Sequence, residues 1–155
     1  YVATNLGAFF AVIAISERIG SYQISDYAGL IKRSPMLSAI LVLCLLSLTG
    51  IPPTAGFIAK VYIFNSAVQT GEQWLVAVVA IAVINTAISA FYYLRWARTI
   101  VLEDPVDETR FSATGPMQAM LAVAAIGVIF LGVVPSPLLN AAQRAAAALL
   151  LSRAA

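Results

Sequence analysis

The sequence predicts an all-α fold, a multi-spanning transmembrane helix bundle with about four spans, one of them discontinuous. Three observations carry this expectation. Hydrophobic residues make up 61% of the 155-residue chain and charged residues only 10%, against roughly 25% charged in soluble domains. Four apolar stretches approach the about 20 residues that a helix needs to cross a hydrocarbon core of roughly 30 Å. The few charges gather in the segments between those stretches, which is where membrane chains encode their topology.

Composition also excludes several functions. A single cysteine, Cys44, and no histidine rule out a disulfide framework, an all-protein zinc site and a histidine-based triad, and no metal-binding residue is expected. Cys44 stands in an apolar run and reads as a small core residue. A net charge of +2 without a basic stripe gives no footprint for nucleic acid.

The first span runs from Tyr1 to Ser16 and stops at Glu17-Arg18. It is short, and the chain opens on Tyr1-Val2-Ala3 without an initiator Met or a charged leader, so the expectation is a first helix whose beginning has been cut away. The third span runs from Trp74 to Leu94, with Tyr92, Tyr93 and Trp96 as an interfacial aromatic belt beside Arg95 and Arg98. The fourth runs from Met117 to Val134 and is stopped by Pro135 and Pro137. Residues 138–151 are rich in Ala and Leu, with Asn140, Gln143 and Arg144 inside them and Arg153 just beyond, and are expected to lie as a short helix at the extracytoplasmic interface.

The second stretch, Met36 to Val68, would make a helix of about 50 Å. That is too long for one straight crossing. Residues 17–35 carry Arg18, Lys32 and Arg33, residues 95–116 carry Arg95, Arg98 and Arg110, and residues 69–73 carry only Glu72. The first two segments are then cytoplasmic and the third extracytoplasmic, which requires Met36–Val68 to cross once, with a break. The break is written in Gly50-Ile51-Pro52-Pro53-Thr54-Ala55-Gly56: proline removes an amide donor and clashes with the preceding turn. Irregular backbone in lipid costs several kcal/mol per unsatisfied group, so it belongs in a packed or hydrated interior. The acidic run Glu103-Asp104-Pro105-Val106-Asp107-Glu108 reads as a solvated loop.

One residue stands against this background. Lys60 lies about 11 residues before Gly71, hence roughly 16 Å from the extracytoplasmic end, near the bilayer midplane. A lysine there costs roughly 2.5–3.5 kcal/mol on insertion scales and normally faces a bundle interior or a water path. A structural pairing or snorkelling of the long side chain is the bland alternative. No Asp or Glu occurs within a span, so any counter-charge is expected from outside the chain. An amine removed from bulk water gives up its proton more readily, which makes Lys60 a candidate proton carrier. Gly56 is one helical turn earlier on the same face and is expected to leave room for water. Asn5, Ser47, Thr49, Asn85, Thr86 and Ser89 either line a hydrated path or bond between helices.

The string Leu48-Thr49-Gly50-Ile51-Pro52-Pro53-Thr54-Ala55-Gly56-Phe57-Ile58-Ala59-Lys60-Val61-Tyr62, with Asp26-Tyr27-Ala28-Gly29-Leu30 before it and Tyr92-Tyr93-Leu94-Arg95 after it, resembles the antiporter-like membrane subunits of proton-translocating NADH-quinone oxidoreductase, complex I. Asn5-Leu6-Gly7-Ala8-Phe9 fits the same family. A lysine at position 60 resembles the N or L type, and the wording of residues 51–56 and the short tail resemble the N, or subunit 2, type. The resemblance covers essentially the whole chain. It implies that residues 1–155 form the C-terminal part of one antiporter-like domain, with spans at about 1–16, 36–68 broken at 50–56, 74–94 and 117–134 and an interfacial tail at 138–151.

The resemblance further implies a multi-pass protein of a bacterial inner (plasma) membrane, one subunit of a translocase, which carries protons through Lys60 on a helix broken at Gly50, Pro52, Pro53 and Gly56. No cofactor is expected in this chain, and it performs no redox chemistry: NADH, FMN, iron-sulfur clusters and quinone are expected on other subunits. The expected partners are the other complex I membrane subunits and the lipid bilayer. The alternatives are a subunit of a multi-subunit cation/proton antiporter and a non-transporting membrane scaffold.

Overall fold

In the computed structural model the backbone is described for residues 1–105 and 107–154, and side chains for these residues up to 148. Val106 in the acidic run, Ala155 at the end of the expected domain and the side chains of residues 149–154, Arg153 among them, lie outside the described residues. The described residues form helices α1 (Val2–Ile19), α2 (Leu30–Arg33), α3 (Pro35–Thr49), α4 (Ala55–Gln69), α5 (Gln73–Leu102), α6 (Gly115–Val133) and α7 (Ser136–Ala154), with a 3-10 turn at Ile24–Tyr27, and contain no strand. Three helices, α1, α5 and α6, are long and apolar enough to cross a membrane. The 15 residues of α3 and the 15 of α4 each reach about 22 Å, short of a bilayer core, and residues 50–54 between them are not helical.

Small residues bring α1, α3 and α6 together. Thr4 hydrogen-bonds Ser47 across α1 and α3, and a Cβ on Gly7 would sit 2.9 Å from Cys44 Sγ and 3.1 Å from Ala124 Cβ. Gly127 faces Ala3. These pairings run in opposite directions, so α1 is antiparallel to both α3 and α6. Without a hydrophobic drive between helices in lipid, such close backbone approach is the main source of association. Cys44 is fully buried in this seam, with Ile15, Leu41, Leu45 and Leu121. By contrast, α4 buries no residue, and α5 buries only Ala97, Thr99 and Ile100 near its C-terminal end.

The helix α5 continues past Leu94, where the third span was expected to end, through to Leu102. The reason is packing: Trp96 stands edge-on to Tyr27 at 5.8 Å, and Ala97 and Ile100 enter the core. Arg95 and Arg98 are therefore helical residues. The run ends at Glu103-Asp104-Pro105, where the residue before proline resists helix.

The acids of the acidic run are exposed to solvent, as expected, and two of them also tie to basic residues. Lys32 Nζ donates to Asp104 at 2.8 Å, and the Arg33 guanidinium, only 8% exposed, donates to Asp107 at 3.2 Å and to the Thr109 carbonyl at 3.2 Å and covers the Phe111 ring. The Gly29 amide donates to Thr99 O and the Phe111 amide to Arg33 O. The segments carrying Lys32, Arg33 and Arg110 thus share one end of the bundle. Charge alone pointed to their being on one side, but not to their being tied together.

The Lys32 ammonium holds the Asp104 carboxyl below the usual carboxylate range, and hydrogen bonds from Thr109, with the Arg33 charge, do the same for Asp107. A lowered folded pKa gives stabilisation that is present above about pH 4 and lost as acid protonates the group. In the solubilised chain both carboxyls are expected to titrate, by NMR, below the about 3.9 of a free aspartate. A midpoint at or above that value would mean that the ties are not made.

Candidate functional site

The break between α3 and α4 begins at Gly50, which takes a left-handed conformation at φ 89°. That geometry suits glycine because it carries no Cβ. The Gly50 amide returns to Leu46 O and Ser47 O and the Ile51 amide to Leu46 O, closing the helix as a C-terminal cap. Pro52 and Pro53 then supply no donors. Both the hydroxyl and the amide of Thr54 go back to Ile51 O, at 2.7 and 3.2 Å.

Thr54 is the N-cap residue of α4, yet its side chain makes no capping bond. The cap comes from the neighbouring helix: Ser47 Oγ accepts the Gly56 amide at 3.2 Å and pairs with Thr4 Oγ1 at 3.0 Å. Ser47 is fully buried and Thr4 nearly so. A Cβ on Gly56 would collide with the Ser47 carbonyl, and one on Gly132 of α6 with the backbone of Pro53 and Thr54. The space that a side chain would need at Gly56 is taken by the backbone of α3.

This close approach places Lys60 at the C-terminal end of α3. Its Nζ donates to Leu48 O at 3.0 Å and to Thr49 O at 2.9 Å, two carbonyls that helix geometry leaves without an intrahelical partner. The side chain lies across Gly50, where a Cβ would be 3.0 Å from Lys60 Cδ. An ammonium at the negative end of a helix dipole gains roughly 0.3–1 kcal/mol at a surface and up to about 2 kcal/mol when partly buried. Within the chain the ammonium is met by backbone carbonyl dipoles. Among the described residues no carboxylate pairs with Lys60.

Lys60 is half-buried, with Leu48 and Thr49 of α3 against its ammonium. A groove of about 340 Å³ runs beside it, lined by Thr4, Ser47, Gly56 and Lys60 among others.

Of the other polar residues singled out in the spans, Ser47 and Thr49 belong to this site, Thr49 through its carbonyl, since its hydroxyl donates to Leu45 O. Asn5 turns back to Tyr1 O, and Ser89 bonds within its own helix to Thr86 O. Neither they nor Asn85 meet Lys60. Sequence reasoning missed Thr4. The signal was present in Thr4, Gly7, Ala11 and Ala14, a small-residue stripe at helical spacing that is buried in α1.

A family model described as "NADH:quinone oxidoreductase/Mrp antiporter, TM" matches residues 1–89. The chain is 42% identical over 145 residues to NADH-quinone oxidoreductase subunit N of Dehalococcoides mccartyi, covering 94% of this chain and 29% of that protein. It is 40% identical over 154 residues to NAD(P)H-quinone oxidoreductase subunit 2 of Synechococcus elongatus, covering 92% and 29%. Among solved structures, a chain of respiratory complex I from Thermus thermophilus with bound Aureothin is similar with a TM-score of 0.63 and 26% identity, over 73% of this chain and 26% of that one. The chain spans less than a third of the length of the relatives it matches.

Proposed function

The chain belongs to the NADH:quinone oxidoreductase/Mrp antiporter transmembrane family, and from that premise we propose that it is the C-terminal part of an N-type membrane subunit of a proton-translocating NADH-quinone oxidoreductase in a bacterial inner membrane. Its own task is to pass protons. Electron transfer is assigned in this reading to other subunits.

The observation that carries this reading is the Lys60 ammonium held by Leu48 O and Thr49 O at the broken end of α3. Protonated, the side chain makes charge-assisted bonds, roughly twice as strong as neutral ones, to a dipole end that favours a cation. Neutral, it keeps only ordinary amine hydrogen bonds and is freer to leave. A side chain whose attachment depends on its proton can accept that proton in one position and release it in another. Broken helices at the midplane serve transporters in this way, by exposing helix ends to the transported ion.

The test is to purify the full-length protein with its partners. Co-purification of flavin- and iron-sulfur-containing subunits, with NADH-driven acidification of inside-out vesicles, is the expected result. Recovery of membrane partners alone, with sodium-dependent proton exchange and no NADH oxidation, would replace this reading with the antiporter one.

A further inference from the structure

We propose that Ser47 is a positioning residue for Lys60: its hydroxyl, steadied by Thr4, caps α4 from outside and so sets where Lys60 meets the carbonyl end of α3. This rests on the reading of Lys60 as the proton carrier.

Three features of the geometry support it. A helix N-terminus within lipid must have its amides satisfied, and the residue in the capping position normally does this through a side-chain oxygen to the second or third amide. Here Thr54 spends its hydroxyl on Ile51 O, and the bond to the second amide, that of Gly56, comes from Ser47, nine positions away in sequence and on the other half-helix. The capping atom therefore links the two halves of the crossing. It is fully buried, and its remaining hydrogen-bonding capacity meets Thr4 Oγ1 on α1, so three helices converge on one oxygen.

The consequence for Lys60 follows from spacing. Gly56 and Lys60 are one turn apart on the same face of α4. Any slip of the first turn of α4 along α3 moves the Lys60 ammonium relative to Leu48 O and Thr49 O. Bonds of 2.9 and 3.0 Å weaken steeply with such displacement. Pro52 and Pro53 leave the connecting segment few backbone bonds with which to resist it. The hydroxyl of Ser47 is the polar contact that opposes this slip directly.

The test uses the assembled enzyme with the full-length chain in inside-out membrane vesicles. Ser47→Ala is expected to lower protons pumped per NADH oxidised by about threefold to tenfold, the range of a lost cap. It is also expected to move the pH of half-maximal pumping by about half a unit or more. Ser47→Thr, which keeps the hydroxyl, is expected to hold the wild-type pH profile. Flavin content and NADH oxidation by an artificial acceptor report assembly in each preparation.

A wild-type pH profile in Ser47→Ala overturns the inference, as does an equal change in Ser47→Ala and Ser47→Thr, which would assign the effect to packing. If the Ser47 variants do not assemble, the Thr4→Val and Thr4→Ser pair decides the matter by the same measurements, with the shift expected only in Thr4→Val. Lys60→Ala is measured alongside. Normal pumping in that variant removes the proton-carrier reading itself, whereas lost pumping there with an unchanged Ser47→Ala profile removes only the role of Ser47.

Discussion

Lys60→Ala in the assembled enzyme is expected to lower proton pumping by at least about tenfold while the complex still forms. The ammonium is the charged group on α4, and its partners are the Leu48 and Thr49 carbonyls. Truncation to alanine leaves those carbonyls with no donor from the side chain. The stability cost is limited, because a half-buried cation held by backbone dipoles leaves no buried opposite charge behind when it goes. A loss of about 1.4 kcal/mol of coupling already corresponds to tenfold. The measurement is the proton-to-electron ratio in vesicles, with blue-native electrophoresis to report assembly. Unchanged pumping would exclude Lys60 as a carrier. Improved stability with unchanged pumping would favour a scaffold in which the break only shapes packing. Lys60→Arg separates charge from proton exchange: it keeps a donor for the carbonyls, but guanidinium does not release its proton in proteins, so pumping is expected to stay low.

The other large effect is expected at Gly56. Gly56→Val directs a branched side chain into the Ser47 carbonyl, a backbone atom that cannot rotate away. Overpacking of a close seam typically costs about 1–3 kcal/mol, occasionally more, and here it also pulls the Gly56 amide off Ser47 Oγ and Lys60 off α3. The expected outcome is a drop of about tenfold or more in assembled complex, read from the membrane content of the subunit, with little pumping in what remains. Gly115→Val is the matching control: nothing lies near a Cβ at that position, so its assembly is expected to match the wild type. Equal assembly in the two variants would mean that the halves of the crossing do not approach as described.

The contrast between these glycines shows what could be read in advance. Gly50, Pro52, Pro53 and Gly56 mark the break in the sequence because each acts through its own backbone or its lack of a side chain. Gly56 has a reason to be glycine beyond the one expected, since a Cβ there would meet the backbone of α3. Nothing local to residues 54–60 could reveal this, because the colliding atom belongs to residue 47. The ties of the acidic run were hidden in the same way. Asp104 and Asp107 lie far along the chain from Lys32 and Arg33, and the pairing exists only because α5 runs on to Leu102 and brings them together. The aromatic belt gave no sign that Trp96 would turn inward to Tyr27.

From composition and order alone came the membrane setting, the helical class, the helix break at Gly50-Ile51-Pro52-Pro53 and the one charge in the apolar run around it. Those properties follow from the free energy of moving each side chain and each unpaired peptide group into hydrocarbon, which is settled residue by residue. What required the tertiary structure was the answer to that charge. The partners of Lys60 are main-chain carbonyls, which every residue has and no sequence marks. Only the approach of α4 to α3, permitted at Gly56 and held by Ser47 and Thr4, selects Leu48 and Thr49 among them.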